Sequence, residues 1–187
     1  MFVPYEDSPY NKLFDVECNK QQSDFVAVED NNCTIQIDEK GQIFDLAKAF
    51  LSIQSMSNKK LQKLCYYAQA WHLALEDEPL INDCVFEAWV HGPVCPELYW
   101  QYREYGYDNI PVYEGNINNV SEEIKDFAKE VFDAYGELSG NELEVLSHSE
   151  APWQNARGTL KPWERCNEKI SEDDMKNYYR QQCKQDE

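Results

Sequence analysis

Basic residues are scarce in this chain of 187 residues: 17 Lys and Arg stand against 35 Asp and Glu, a formal charge of −18. A field of that sign repels phosphate backbones and anionic lipid surfaces, so nucleic acid and membranes are not expected as partners, and basic partners are favoured. The acidity is spread along the chain, with net charges of −6 over residues 1–56, −5 over 57–115 and −7 over 116–187. Such a spread serves solubility and partner attraction alike. No apolar run approaches the ~20 residues that a membrane helix needs. The opening MFVPYEDSPYNKLF lacks the basic start and apolar stretch of a secretory signal. Cysteines number seven, at positions 18, 33, 65, 84, 95, 166 and 183, and are never spaced C-x-x-C. An odd count without that spacing suits free thiols in a reducing cytoplasm better than a disulfide framework. A cytoplasmic location is therefore expected.

Catalytic signatures are missing too. The seven glycines form neither G-x-G-x-x-G nor G-x-x-x-x-G-K, so no phosphate loop is present. Cys65, Cys95 and Ser147 are available as nucleophiles and His72, His91 and His148 as bases, but no G-x-S-x-G elbow or papain-like cysteine block surrounds them. Cys84, His91 and Cys95 lie close in sequence without the spacing that announces a zinc site. Buried thiols and a hydrogen-bonded histidine explain them better. No enzyme activity, metal or cofactor is expected.

What is present is a core. Hydrophobic residues make up 42% of the chain and aromatics 13%, which excludes wholesale disorder. The organising stretch runs from Ser57 to Pro96. Ser57 can cap a helix in which Leu61, Leu64, Cys65, Ala68, His72 and Leu75 recur three or four residues apart. Tyr66, Tyr67, Ala70, Leu73 and Ala74 cover most of the remaining circumference, leaving Gln62, Lys63 and Gln69 as a polar strip. A helix apolar nearly all round is buried by neighbours on several sides. On that stripe, His72 reads as a satisfied core residue. Next comes a break at Glu76-Asp77-Glu78-Pro79, an extended segment over Val85–Val90 and a turn at Gly92-Pro93. Pro96 can open another helix.

LQKLCYYAQAWHLAL followed by FEAWVHGPVCPELYWQY resembles the Panacea domain, an antitoxin domain. The likeness resumes at Glu142-Leu143, through LSHSEAPWQNARG, and at ISEDDMKNYY, covering roughly Leu46 to Tyr179. The resemblance implies a cytoplasmic bacterial or bacteriophage antitoxin that binds a co-encoded protein toxin directly and stoichiometrically. Toxins paired with this domain include small alarmone synthetases and membrane-disrupting peptides. It leaves open a second role, a proteolysis adaptor that delivers the toxin to a cytoplasmic protease.

The rest of the chain reads as mainly helical (α+β). Residues 1–43 form an N-terminal extension, irregular at first, with a β-hairpin expected over Phe25–Val28 and Cys33–Ile37. Residues 44–183 form the compact helical domain around the buried central helix. A short helix is expected from about Phe44 to Ile53, and an aromatic one from Pro96 to Tyr105, ended by Gly106. Tyr107 to Asn119 reads as a loop. Ser121 can cap a helix bearing Ile124, Phe127, Ala128, Val131, Phe132 and Tyr135, closed by Gly136. Short helices follow at Ser139–His148 and from Ala151, and a capping box at Ser171–Asp174 opens the last one.

Candidate partner-binding residues come from two places. His91, on a rigid turn, precedes a helix carrying Tyr99, Tyr102 and Arg103, side chains of the type that dominate interaction hot spots. The competing reading packs Trp89 and the tyrosines onto the central helix, with His91 capping a backbone carbonyl. His148 and Trp153 are the second pair. There the short polar side chains can tie down a helix corner while Trp153 plugs the core. Whether this pair shares a surface with His91 is open at this level.

Overall fold

The computed structural model describes residues 43–183. The hairpin expected over Phe25–Ile37 lies outside them. Chain order begins with α1 (Ile43–Ile53), β1 (Met56–Ser57) and the central helix α2 (Asn58–Leu75). Ser57 caps α2 as expected, its Oγ accepting the Lys60 N–H at 3.3 Å. Every residue from Leu61 to Ala74 is buried.

The polar strip of Gln62, Lys63 and Gln69 is buried as well; all three are 2% exposed or less. Each holds backbone of the segment that follows α2. Gln69 exchanges a reciprocal pair of 3.0 Å hydrogen bonds with Ile81. Lys63 Nζ donates to Pro93 O at 2.8 Å, and Gln62 Oε1 accepts the Cys95 N–H at 2.9 Å. A buried loop backbone must be paired, and here the helix supplies the partners. The strip is a rail on which residues 81–95 are seated.

On that rail lie β2 (Glu87–Trp89) and β3 (Gly92–Val94), an antiparallel hairpin with Ala88 opposite Pro93. The chain continues through α3 (Pro96–Tyr102), a 3₁₀ turn at Arg103–Tyr105, and Gly106 with φ +56°. β4 (Asn109–Ile110) then pairs antiparallel with β1, Met56 opposite Ile110. This is a second small sheet where a plain loop was expected, and two residues per strand are too few to show a pattern in sequence. The remaining helices are α4 (Glu122–Tyr135), α5 (Gly140–Ser149), α6 (Ala151–Arg157) and α7 (Glu172–Cys183). The described residues thus form seven α-helices and two two-stranded sheets, the mainly helical architecture expected. α1, α3, α4, α5 and α7 all pack against α2.

Caps agree with the sequence. Ser121 Oγ accepts from Ile124 N, and Ser139 and Glu142 complete a reciprocal capping box. In α4, Ile124, Phe127, Ala128, Val131 and Tyr135 are buried and Phe132 is partly so.

The polar centre of the core is Glu150, 1% exposed, at the junction of α5 and α6. Its carboxylate accepts from Tyr179 OH at 2.7 Å and from Tyr67 OH at 3.4 Å. Tyr67 stacks on Tyr135, with ring centroids 4.3 Å apart, and Trp71 Nε1 donates to Tyr135 OH. Glu150, rather than the serines beside it, therefore ties the α5–α6 corner to α2 and α7. Ser147 and Ser149 donate to carbonyls of their own helix, those of Glu144 and Leu146.

Candidate partner interface

Gly92 fixes the tip of the β2–β3 hairpin. Its φ is +92°, and a Cβ there would stand 2.6 Å from Lys63 Cε and 2.9 Å from Ser147 Oγ. Only glycine lets the backbone sit this close to α2 and α5. Beyond the tip, His91 projects with its side chain 72% exposed. Its ring does not cap a backbone carbonyl: Nδ1 lies 2.9 Å from Glu144 Oε1. The other oxygen of Glu144 accepts from Lys59 Nζ at 2.6 Å, so one carboxylate couples the hairpin tip, α5 and α2. Burial would raise the Glu144 carboxyl, but hydrogen bonds from Lys59 and His91 outweigh it and hold the group below its usual value.

Trp89 links the two predicted groups. Its carbonyl accepts Trp153 Nε1–H at 3.0 Å, and its ring meets Tyr99 edge-to-face at 5.2 Å. Tyr99 in turn contacts Trp100, over which Arg103 lies at 4.7 Å. His148 stacks on Trp153 with centroids 4.0 Å apart. The structure thus brings His91, Tyr99, His148 and Trp153 around the hairpin, with Arg103 at the far end of the aromatic row. Tyr102 differs: it is half-buried, packs against the core and reaches Tyr105. Trp153 is 5% exposed, so it supports the face more than it offers surface.

Sequence reasoning passed over Trp100, 55% exposed in the middle of the row. The available signal was its place beside Leu98, the buried residue of α3, on a helix too short to hide both. Lys63 and Glu144 gave no signal, because their roles depend on contacts with the hairpin and α2.

The other candidates resolve into structure. His72 is buried, with Nδ1 2.7 Å from Glu78 O and Nε2 3.3 Å from Glu123 Oε1. Cys84 neighbours Cys95, whose thiol, together with burial, holds the Cys84 thiol well above its usual range. His91 is engaged elsewhere, and among the described residues no group of three or more His, Cys, Asp or Glu is placed to hold a metal ion. No helix of the described residues is long and apolar enough to cross a membrane.

The family described as "Antitoxin SocA-like, Panacea domain" matches residues 61–154, half of the chain. The chain belongs to that family. It is 33% identical over 119 residues to Antitoxin SocA of Caulobacter vibrioides (strain NA1000 / CB15N). The aligned part is 56% of this chain and 63% of that protein, so the chain spans less than two thirds of the relative's length. No solved structure matches.

Proposed function

We propose that this protein is an antitoxin that neutralises a co-encoded protein toxin by direct, stoichiometric binding, without catalysis. The observation that carries the reading is where the hairpin face lies. His91, Tyr99, Arg103 and His148, with the exposed Trp100, all fall inside the stretch that matches the antitoxin domain. Aromatic and Arg side chains set on a rigid turn and helix lose little freedom on docking, which is what a tight protein interface requires. In this reading Tyr102 and Trp153 act from behind, holding the face in shape. Residues 1–40, outside the match, influence which toxin is recognised.

The test is rescue with capture. The neighbouring reading frame is induced in a bacterial host with and without this protein, in the presence and absence of cytoplasmic proteases, followed by pulldown. Rescue that persists without protease, with a stable complex, is the expected result. Rescue that needs the protease would replace direct inhibition with delivery for degradation. In the same assay, deletion of residues 1–40 should narrow or shift the range of toxins neutralised, and an unchanged range would remove their proposed role.

A further inference from the structure

A neutral histidine ring carries its proton on one of two nitrogens, and the hydrogen bond made by one decides the chemistry of the other. At the hairpin tip that bond is visible. His91 Nδ1 lies 2.9 Å from Glu144 Oε1, and Lys59 Nζ lies 2.6 Å from the other oxygen. Burial works against the charge on Glu144, but the bonds from Lys59 and His91 outweigh it and keep the carboxyl ionised. An ionised carboxylate only accepts. The proton between them therefore sits on His91 Nδ1, and in the neutral ring Nε2 is left as a bare acceptor. Among the described residues nothing bonds that nitrogen, and the side chain is largely exposed. Backbone on both sides of His91 is fixed. Gly92 packs against Lys63 and Ser147 with no room for a Cβ, and the Trp89 carbonyl accepts from Trp153 Nε1–H. The lone pair is thus held ready for a partner.

Two further observations say what that partner carries. Lys59 and Glu144 cancel each other's charge at short range, and burial lowers the Lys63 pKa to about 7, so little positive charge remains under the tip in a chain of net charge −18. Val145, the neighbour of Glu144 on α5, is an apolar side chain left 72% exposed. An acceptor near uncovered apolar surface suits a long basic side chain, whose stem is apolar and whose head donates. We infer that His91, oriented by Glu144, determines specificity by accepting a hydrogen bond at Nε2 from a Lys or Arg side chain of the toxin. Glu144 is the positioning residue and acts through the ring. The inference rests on the antitoxin reading and deepens it.

Two measurements on the full-length protein test it, and the first needs no toxin. With isotope-labelled histidine, long-range proton–nitrogen NMR correlations near pH 8 report which nitrogen of each ring is protonated. Loss of one set of signals in His91→Gln identifies His91. The expected pattern is a protonated Nδ1 and a bare Nε2. Glu144→Ala should relax it toward the Nε2–H form that a free imidazole side chain prefers. Should that variant not fold, the native spectrum decides alone: Nε2–H as the major form of His91 overturns the proposal.

The second measurement reads capture affinity for the product of the neighbouring reading frame. His91→Leu should weaken capture about tenfold or more, as expected for one hydrogen bond to a charged donor. His91→Gln, whose side-chain oxygen still accepts, should weaken it less, and His91→Lys, which only donates, should weaken it most. One Lys or Arg of the toxin, changed to Met, should cost as much as His91→Leu and couple to it in a double-mutant cycle. A native protein that captures no toxin overturns the antitoxin reading and this inference together. Native capture that His91→Leu leaves undiminished, or a cycle in which no basic toxin residue couples to His91, overturns this inference alone.

Discussion

Lys63 is the residue on which the face depends most. It is fully buried, its Nζ bonds Pro93 O, and its chain fills the space under Gly92. Burial lowers its pKa from 10.5 to about 7; Glu144 opposes the shift and Lys59 adds to it. The linkage follows from the direction. Between about pH 7 and 10.5 the unfolded chain holds the proton that the folded one has released, so stability rises with pH across that window. A shift of this size is worth roughly 5 kcal/mol at its full extent. Urea unfolding of the native protein against Lys63→Met, from pH 6 to 10, should show the native curve rising while the variant lacks that increment. Parallel curves would mean that Lys63 titrates near 10.5 in the fold. The residue's role could not be read locally, because helical spacing marks it only as part of a polar strip with Gln62 and Gln69, and its partner Pro93 lies 30 residues along the chain.

At the scale of elements, the governing feature is how residues 81–95 are held. The β2–β3 hairpin has three residues per strand, too few to stand alone in water. It is fixed from below by Gln69, Lys63 and Gln62, and from the side by Ala88 N–H donating to Glu168 O and Ile170 N–H donating to Phe86 O. Gln69→Leu strands the N–H and carbonyl of Ile81 in the interior. It should cost about 2–3 kcal/mol, with faster amide exchange at Ile81. A loss within a few tenths of a kcal/mol would show that the segment is held without the rail. Helix ends were legible in advance for a physical reason: Ser57, Ser121 and Ser139 each bond a group three residues away. The β1–β4 pair joins residues more than fifty positions apart, and no local pattern encodes it.

Taken as one molecule, the chain is set by its charge and its aromatic centre. A net charge of −18 on 187 residues repels itself in the folded state. Added sodium chloride screens that repulsion, so the thermal midpoint should rise with ionic strength. A midpoint that falls would mean that pairs such as Lys59–Glu144 and Arg180–Asp77 outweigh the repulsion. The sequence by itself determined the helical class, the buried central helix, the caps and the likeness to an antitoxin domain, since periodicity and short-range hydrogen bonds act between neighbours along the chain. Only the tertiary structure decided that the polar strip of α2 faces inward and that Glu150 anchors the α5–α6 corner. It also set His91 and Trp153 around one tryptophan. Each depends on a polar group finding its partner across the fold, and a buried group is stable wherever that partner lies.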